Sequence, residues 1–139
     1  MSSTIPYVSN DELAQFVLNK SLTPGKDYLV VDVRDEDFQN GNIPNAINIP
    51  AHEIAERADD LIDRYQAVPK IFFHCALSQV RGPKSARIYN EALQERGNVS
   101  NQEVFILRGG FTDWQLKYKQ RPELLENYNS TYWSNMDFY

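Results

Sequence analysis

Cysteine is nearly missing from this chain. Cys75 is the only one among 139 residues, so no intramolecular disulfide can form and a cysteine-rich zinc site is excluded. Long apolar runs are missing too. None approaches the roughly 18 residues needed to span a bilayer, and Met1 to Tyr7 has neither a basic region nor an apolar stretch. Positive charge is in deficit, with a net charge of −5, which argues against nucleic acid or an anionic membrane as the main partner. There is no internal repeat, low-complexity block or interdomain linker. These absences predict one domain over 1–139, with a core of about 7–118, a tail over 119–139, and a place in the reducing cytoplasm, the nucleus or both.

What is present is an alternation of strand-length apolar runs with helix-period segments. Ser9-Asn-Asp-Glu12 reads as a capping box ahead of Leu13, Phe16 and Val17 at helical spacing. Tyr28-Leu-Val-Val-Asp32 reads as a strand buried on both faces, and Ala46-Ile-Asn-Ile49 as a second short strand. Ile54, Ala58, Leu61, Ile62 and Tyr65 mark one helix face. Lys70-Ile-Phe-Phe-His74 reads as the most buried strand, and a polar loop from Cys75 to Gly82 leads into a helix with Pro83 in its first turn. Glu103-Val-Phe-Ile-Leu107 is a last strand, followed by Arg108-Gly-Gly110 and a short helix through Trp114. This alternation implies an α/β fold with a mostly parallel sheet covered on both faces, whose ligands bind beyond the carboxyl ends of the strands. Cys75 falls at such an end.

The chemistry sits in His74-Cys-Ala-Leu-Ser-Gln-Val-Arg81-Gly-Pro83. Five residues between Cys75 and Arg81 let a tight loop turn its N–H groups toward one centre, and the following helix adds the positive end of its dipole. Arg81 can grip two oxygens of a tetrahedral anion, and the same field favours a thiolate at Cys75. A thiolate beneath a bound phosphorus is an in-line nucleophile. The spacing alone is a weak motif. An apolar strand before the Cys and a helix after the Arg make it sharper.

Together with Val31-Asp-Val-Arg34, Gly41-Asn-Ile-Pro-Asn-Ala46 and Leu107-Arg-Gly-Gly-Phe111, this block resembles the rhodanese-fold phosphatases related to the mitotic-inducer (cell-division-cycle) dual-specificity enzymes. The likeness is greatest to their small, catalytic-domain-only fungal and plant members and runs roughly from Tyr7 to Trp114. The resemblance implies a rhodanese-like fold and hydrolysis of phosphotyrosine and phosphoserine/threonine in protein substrates through a phosphocysteine intermediate. It implies no metal and no cofactor, and it is compatible with a regulatory protein partner. It makes Cys75 the nucleophile and Arg81 the clamp, with Ala76, Leu77, Ser78, Gln79 and Val80 completing the phosphate loop. The relatives carry acidic residues in the loop, where this chain has Ala76 and Val80, and a back-door cysteine where it has Val33. Arsenate reduction with an external thiol such as glutathione is the alternative. Sulfur transfer is disfavoured by a loop one residue longer than in rhodaneses, and a non-catalytic phosphopeptide module by the presence of both Cys75 and Arg81.

Around the loop, His74 is expected to bond backbone and hold the turn, and Asp32 and Arg34 to form a supporting buried pair, with Gly82 beside them. Ser78 either donates to thiolate or phosphate or shapes the turn. Arg108 contacts substrate or is solvated, and Lys84 and Arg87 make the mouth basic or lie on a solvated face. Asp35, Glu36, Asp37 and Asp113 are carboxylates that the sequence does not place as a general acid, so the loop alone predicts strong dependence on leaving-group acidity. Tyr128, Tyr132, Trp133, Phe138 and Tyr139 are expected to dock on the domain surface.

The lone cysteine generates a prediction. Peroxide converts an activated thiolate to a sulfenic acid, which here has no partner thiol. Without external thiol the chain should pass to the irreversible sulfinic or sulfonic acid, whereas glutathione present during exposure should protect it. Full recovery on reduction, with no sulfenamide in the intact mass, would count against this.

Overall fold

The runs read as strands do pair, and every pairing is parallel. The computed structural model describes residues 4–136. Its strands are β1 (Tyr7–Val8), β2 (Leu29–Asp32), β3 (Ile47–Asn48), β4 (Lys70–His74) and β5 (Glu103–Leu107), in the order β1-β5-β4-β2-β3. The helices are α1 (Asn10–Leu18), α2 (Ile54–Tyr65), α3 (Arg81–Glu95), α4 (Gly110–Tyr118) and α5 (Ser130–Met136). Parallel neighbours need crossovers, and the helices between strands provide them.

Side chains alternate across the sheet and build one core on each face. Leu29, Val31, Ile71, Phe73, Val104 and Ile106 pack with Ile54, Leu61 and Ile62 of α2 and with Ala86, Tyr89 and Leu93 of α3. Val30, Phe72 and Leu107 pack on the other side with Leu13 of α1 and with Phe111, Trp114 and Tyr118 of α4. Central strands with both faces covered read as unbroken apolar runs, which is why β2 and β4 were legible. Their register sets Asp32 beside His74. Val33 and Cys75 both belong to the α2/α3 side.

The α1 capping box forms as expected: the Glu12 N–H donates to Ser9 Oγ at 3.1 Å and the Ser9 N–H to Glu12 Oε1 at 2.8 Å. Three features differ from the sequence reading. The two-residue strand β1 is too short to show a period, yet it pairs with Ile106 and Leu107. Helix α3 begins at Arg81 rather than after Gly82, and Pro83 keeps its expected place in the first turn, where a backbone N–H would have no intrahelical acceptor. The core also runs past residue 118. Leu124 is fully buried, and Trp133, 6% exposed, meets Phe111 edge-on at 5.7 Å between ring centroids and donates its indole N–H to the Asn40 carbonyl at 2.9 Å. Tyr128 bonds the Gln115 side chain at 2.7 Å, while Phe138 and Tyr139 lie outside the described residues. Residues after 118 lack a period because they lie across the α4 face instead of forming one long amphipathic element.

Trp133→Ala should therefore cost about 3 kcal/mol, as for a buried aromatic in a core. A loss below about 1 kcal/mol in chemical denaturation would show that α5 is only loosely attached.

Candidate active site

The carboxyl ends of β2, β4 and β5 converge on the loop from Cys75 to Val80. Two neighbours fix the loop from behind. The Phe111 and Thr112 N–H groups, in the first turn of α4, donate to the Cys75 and Ala76 carbonyls at 3.0 and 2.9 Å. Gly110 permits this approach: it has φ +61°, and a Cβ there would lie 2.4 Å from the Ala76 carbonyl oxygen. On the α3 side, a Cβ on Gly82 would come within 3.2 Å of the Cys75 nitrogen, so the helix start packs directly on the strand end.

With its first two carbonyls held on the α4 side, the loop turns back toward its own sulfur. Ser78 sits at φ +55°, in the left-handed region, and its N–H donates to Cys75 Sγ at 3.2 Å. The Ser78 hydroxyl is buried with no hydrogen-bond partner among the described residues. Cys75 itself is 3% exposed. Helix α3 starts where the loop ends and aims its N-terminal dipole at the same place. Cys75, Ala76, Leu77, Gln79, Val80 and Arg81 line an open hollow, with Leu77 and Val80 exposed on its rim.

His74 faces away from the sulfur, as strand alternation requires. Its Nδ1 lies 3.0 Å from the Cys75 carbonyl oxygen, which can only accept, so Nδ1 carries the proton. Nε2 is 3.5 Å from Asp32 Oδ2. Burial lowers the His74 pKa, and the Arg34 charge adds to that, against the opposing pull of Asp32. The ring is a neutral spacer between the Asp32 carboxylate and the loop.

Asp32 and Arg34 form the expected pair, both buried: Nε to Oδ1 at 3.0 Å and Nη2 to Oδ2 at 2.7 Å. Arg34 does more than that. It donates to the Asp37 carbonyl at 3.1 Å and the Gly41 carbonyl at 2.7 Å, and lies 4.5 Å from the centre of the Phe111 ring. The segment between those carbonyls is thereby fixed, and it brings Asp37 to Arg81. Arg81 Nη2 is 3.0 Å from Asp37 Oδ2, and Nη1 is 3.4 Å from Oδ1. Sequence reasoning had three adjacent carboxylates after β2 and no means of choosing among them.

The remaining candidates fall elsewhere. Arg108 stacks over Tyr7 at 4.8 Å, and Asp113 folds back beside Gly109 at the α4 start. Lys84 and Arg87 are exposed on α3.

The sequence model of the Rhodanese-like domain matches residues 14–117. The chain belongs to the rhodanese-like family. Relatives of the chain include the dual specificity phosphatase ibp1 of Schizosaccharomyces pombe, 31% identical, covering 89% of this chain and 98% of that protein. They also include Arsenate reductase 2.2 of Oryza sativa subsp. japonica, 30% identical, covering 84% of this chain and 86% of that one. A solved yeast protein tyrosine phosphatase of the Rhodanese family superposes with a TM-score of 0.78 at 26% identity, over 96% of this chain and 99% of that one. This rhodanese-like chain therefore sits among phosphatases and arsenate reductases, and its likeness to small single-domain members is as the motifs suggested.

His74 gives the rhodanese-like domain a pH dependence. Its folded pKa lies below the unfolded value of about 6.5, so below that pH the unfolded chain binds the extra proton. Stability should be complete above pH 6.5 and fall as pH drops below it. Between pH 7 and pH 5 the Tm of His74→Asn should fall less than that of wild type; equal falls would rule out His74 as the source.

Proposed function

We propose that this chain is a cysteine-based protein phosphatase acting on phosphotyrosine and phosphoserine/threonine. The observation that carries this reading is the loop itself: a cysteine sulfur receiving a backbone N–H from its own six-residue turn, with a guanidinium at the start of the next helix. A phosphate seated above Sγ would be gripped by Arg81 through two N–H groups and by loop amides, under the α3 dipole. The Cys75 thiolate attacks phosphorus, the S–P bond forms, and the bond to the leaving oxygen breaks. The leaving alkoxide or phenoxide takes a proton. Water then attacks the phosphocysteine, releasing inorganic phosphate and the thiolate. The open hollow suits a phosphate projecting from a protein surface, and the substrate would be met in the cytoplasm or nucleus.

Arsenate reduction is the second reading, supported by the rice relative and by the shape of arsenate, which matches that of phosphate. Cys75 has no partner cysteine in the chain, so an external thiol would have to supply the electrons.

The test is a side-by-side assay of aryl phosphate, arsenate with glutathione, and thiosulfate with cyanide. Wild type should turn over the aryl phosphate with chelator present, and Cys75→Ser should not, while still binding oxyanions. Turnover by Cys75→Ser would overturn the mechanism, and arsenate turnover alone would select the second reading. Arg81→Lys should lose about a hundredfold in kcat, because a point charge cannot reproduce a planar two-point grip. A loss under threefold would mean that Arg81 is not the clamp.

A further inference from the structure

Arg81 is already occupied in the free protein. Asp37 takes two of its N–H groups, at 3.0 and 3.4 Å, and both side chains are 33% exposed. The carboxylate is held there by construction. It lies in the short turn Glu36–Asn40, its carbonyl accepts from Arg34 at 3.1 Å, and its Oδ1 also accepts the Asp35 N–H at 3.0 Å. The end of the turn is fixed by the Arg34 bond to the Gly41 carbonyl and the Trp133 bond to the Asn40 carbonyl.

A phosphate monoester in the loop needs the same guanidinium N–H groups. On binding it takes Arg81 away from Asp37 and puts a dianion beside the carboxylate that Arg81 had neutralised. The charged groups that bear on the Asp37–Arg81 pair are Arg34, Asp35 and Cys75, and Arg34 is already committed to Asp32. In the free protein, partial burial pushes the Asp37 carboxyl up, but the hydrogen bond and charge of Arg81 and the charge of Arg34 outweigh this and hold it below the ordinary range. Once Arg81 turns to the substrate, the main interaction favouring the anion is lost and a repulsion is added.

We propose that Asp37 is the general acid of the reaction, protonated when the substrate draws Arg81 away from it. The inference rests on the phosphatase reading. As the bond from phosphorus to the leaving oxygen breaks, the Asp37 carboxyl gives its proton to that oxygen. In the second step the Asp37 carboxylate takes a proton from the attacking water, so that free phosphate, thiolate and protonated Asp37 result. Release of phosphate returns Arg81 to Asp37, and the proton leaves to solvent. The loop lacks a carboxylate of its own, and this arrangement reverses the strong leaving-group dependence expected from the loop alone.

The experiment measures kcat and kcat/KM for the full chain on aryl phosphates with leaving groups from nitrophenol to phenol, for wild type and Asp37→Asn. The wild type should depend only weakly on leaving-group acidity. In kcat/KM, which reports only the steps through loss of the leaving group, Asp37→Asn should stay within about fivefold on nitrophenyl phosphate and lose about a hundredfold on phenyl phosphate. Wild-type kcat should fall on the alkaline side as the complexed acid ionises, and Asp37→Asn should lack that limb. The wild-type limb and leaving-group slope do not depend on any variant folding. Inorganic phosphate should inhibit Asp37→Asn more tightly, since nothing then competes for Arg81. Tighter phosphate inhibition with an unchanged leaving-group slope would overturn proton donation and leave Asp37 as a restraint on Arg81. Absence of wild-type turnover on every aryl phosphate would instead overturn the phosphatase reading, and the proton role with it.

Discussion

The buried guanidinium of Arg34 ties the site together. It spends its N–H groups on the Asp32 carboxylate and on two backbone carbonyls of the next loop, and lays its plane against Phe111. A buried ion pair of this kind gives little net stability, because desolvation offsets the attraction, but removing either partner leaves an uncompensated charge. What the pair secures is geometry. Without Arg34 the Asp37 and Gly41 carbonyls lose their donor, the turn Glu36–Asn40 loses its anchor, and the carboxylate facing Arg81 has no fixed origin. Through Asp32 the same guanidinium also sets the charge that His74 feels across 3.5 Å.

The loop around Cys75 is shaped from both ends of its peptide groups. Carbonyls are drawn back by the first N–H groups of α4 and by His74, while the Ser78 amide turns to the sulfur. Peptide planes are rigid, so pinning an oxygen on one side commits the neighbouring amide to the other. The sharp turn at Ser78 and the tight contacts at Gly82 and Gly110 are the steric terms of that commitment. A loop held this way has its shape before any ligand arrives.

Much of this was legible because it is local. The unbroken apolar runs of β2 and β4, the Ser9 capping box and the Cys75–Arg81 spacing each lie within a few residues, where period and spacing carry the information. The pairing of Asp32 with Arg34 follows from their places on one face of one strand end. Asp37 did not stand out from Asp35 and Glu36, because what selects it is the reach of Arg81 from another strand's loop, 44 positions away. Strand β1 is too short for a pattern. The residues after 118 are positioned by contacts with α4 and the Asn40 turn, and tertiary docking of this kind leaves no periodic trace in sequence.

The limits of the family likeness and of the folding unit are not the same. The rhodanese-like match ends at residue 117, yet Leu124 and Trp133 complete the apolar face over Phe111 and Trp114, and β1 lies outside the match at the other end. A fragment trimmed to 14–117 would bare aromatic rings on one side of the sheet and leave β5 as an open edge. Exposed rings beside an unpaired strand are the ingredients of self-association. Solubility of the folded unit thus depends on segments that lie outside the family match.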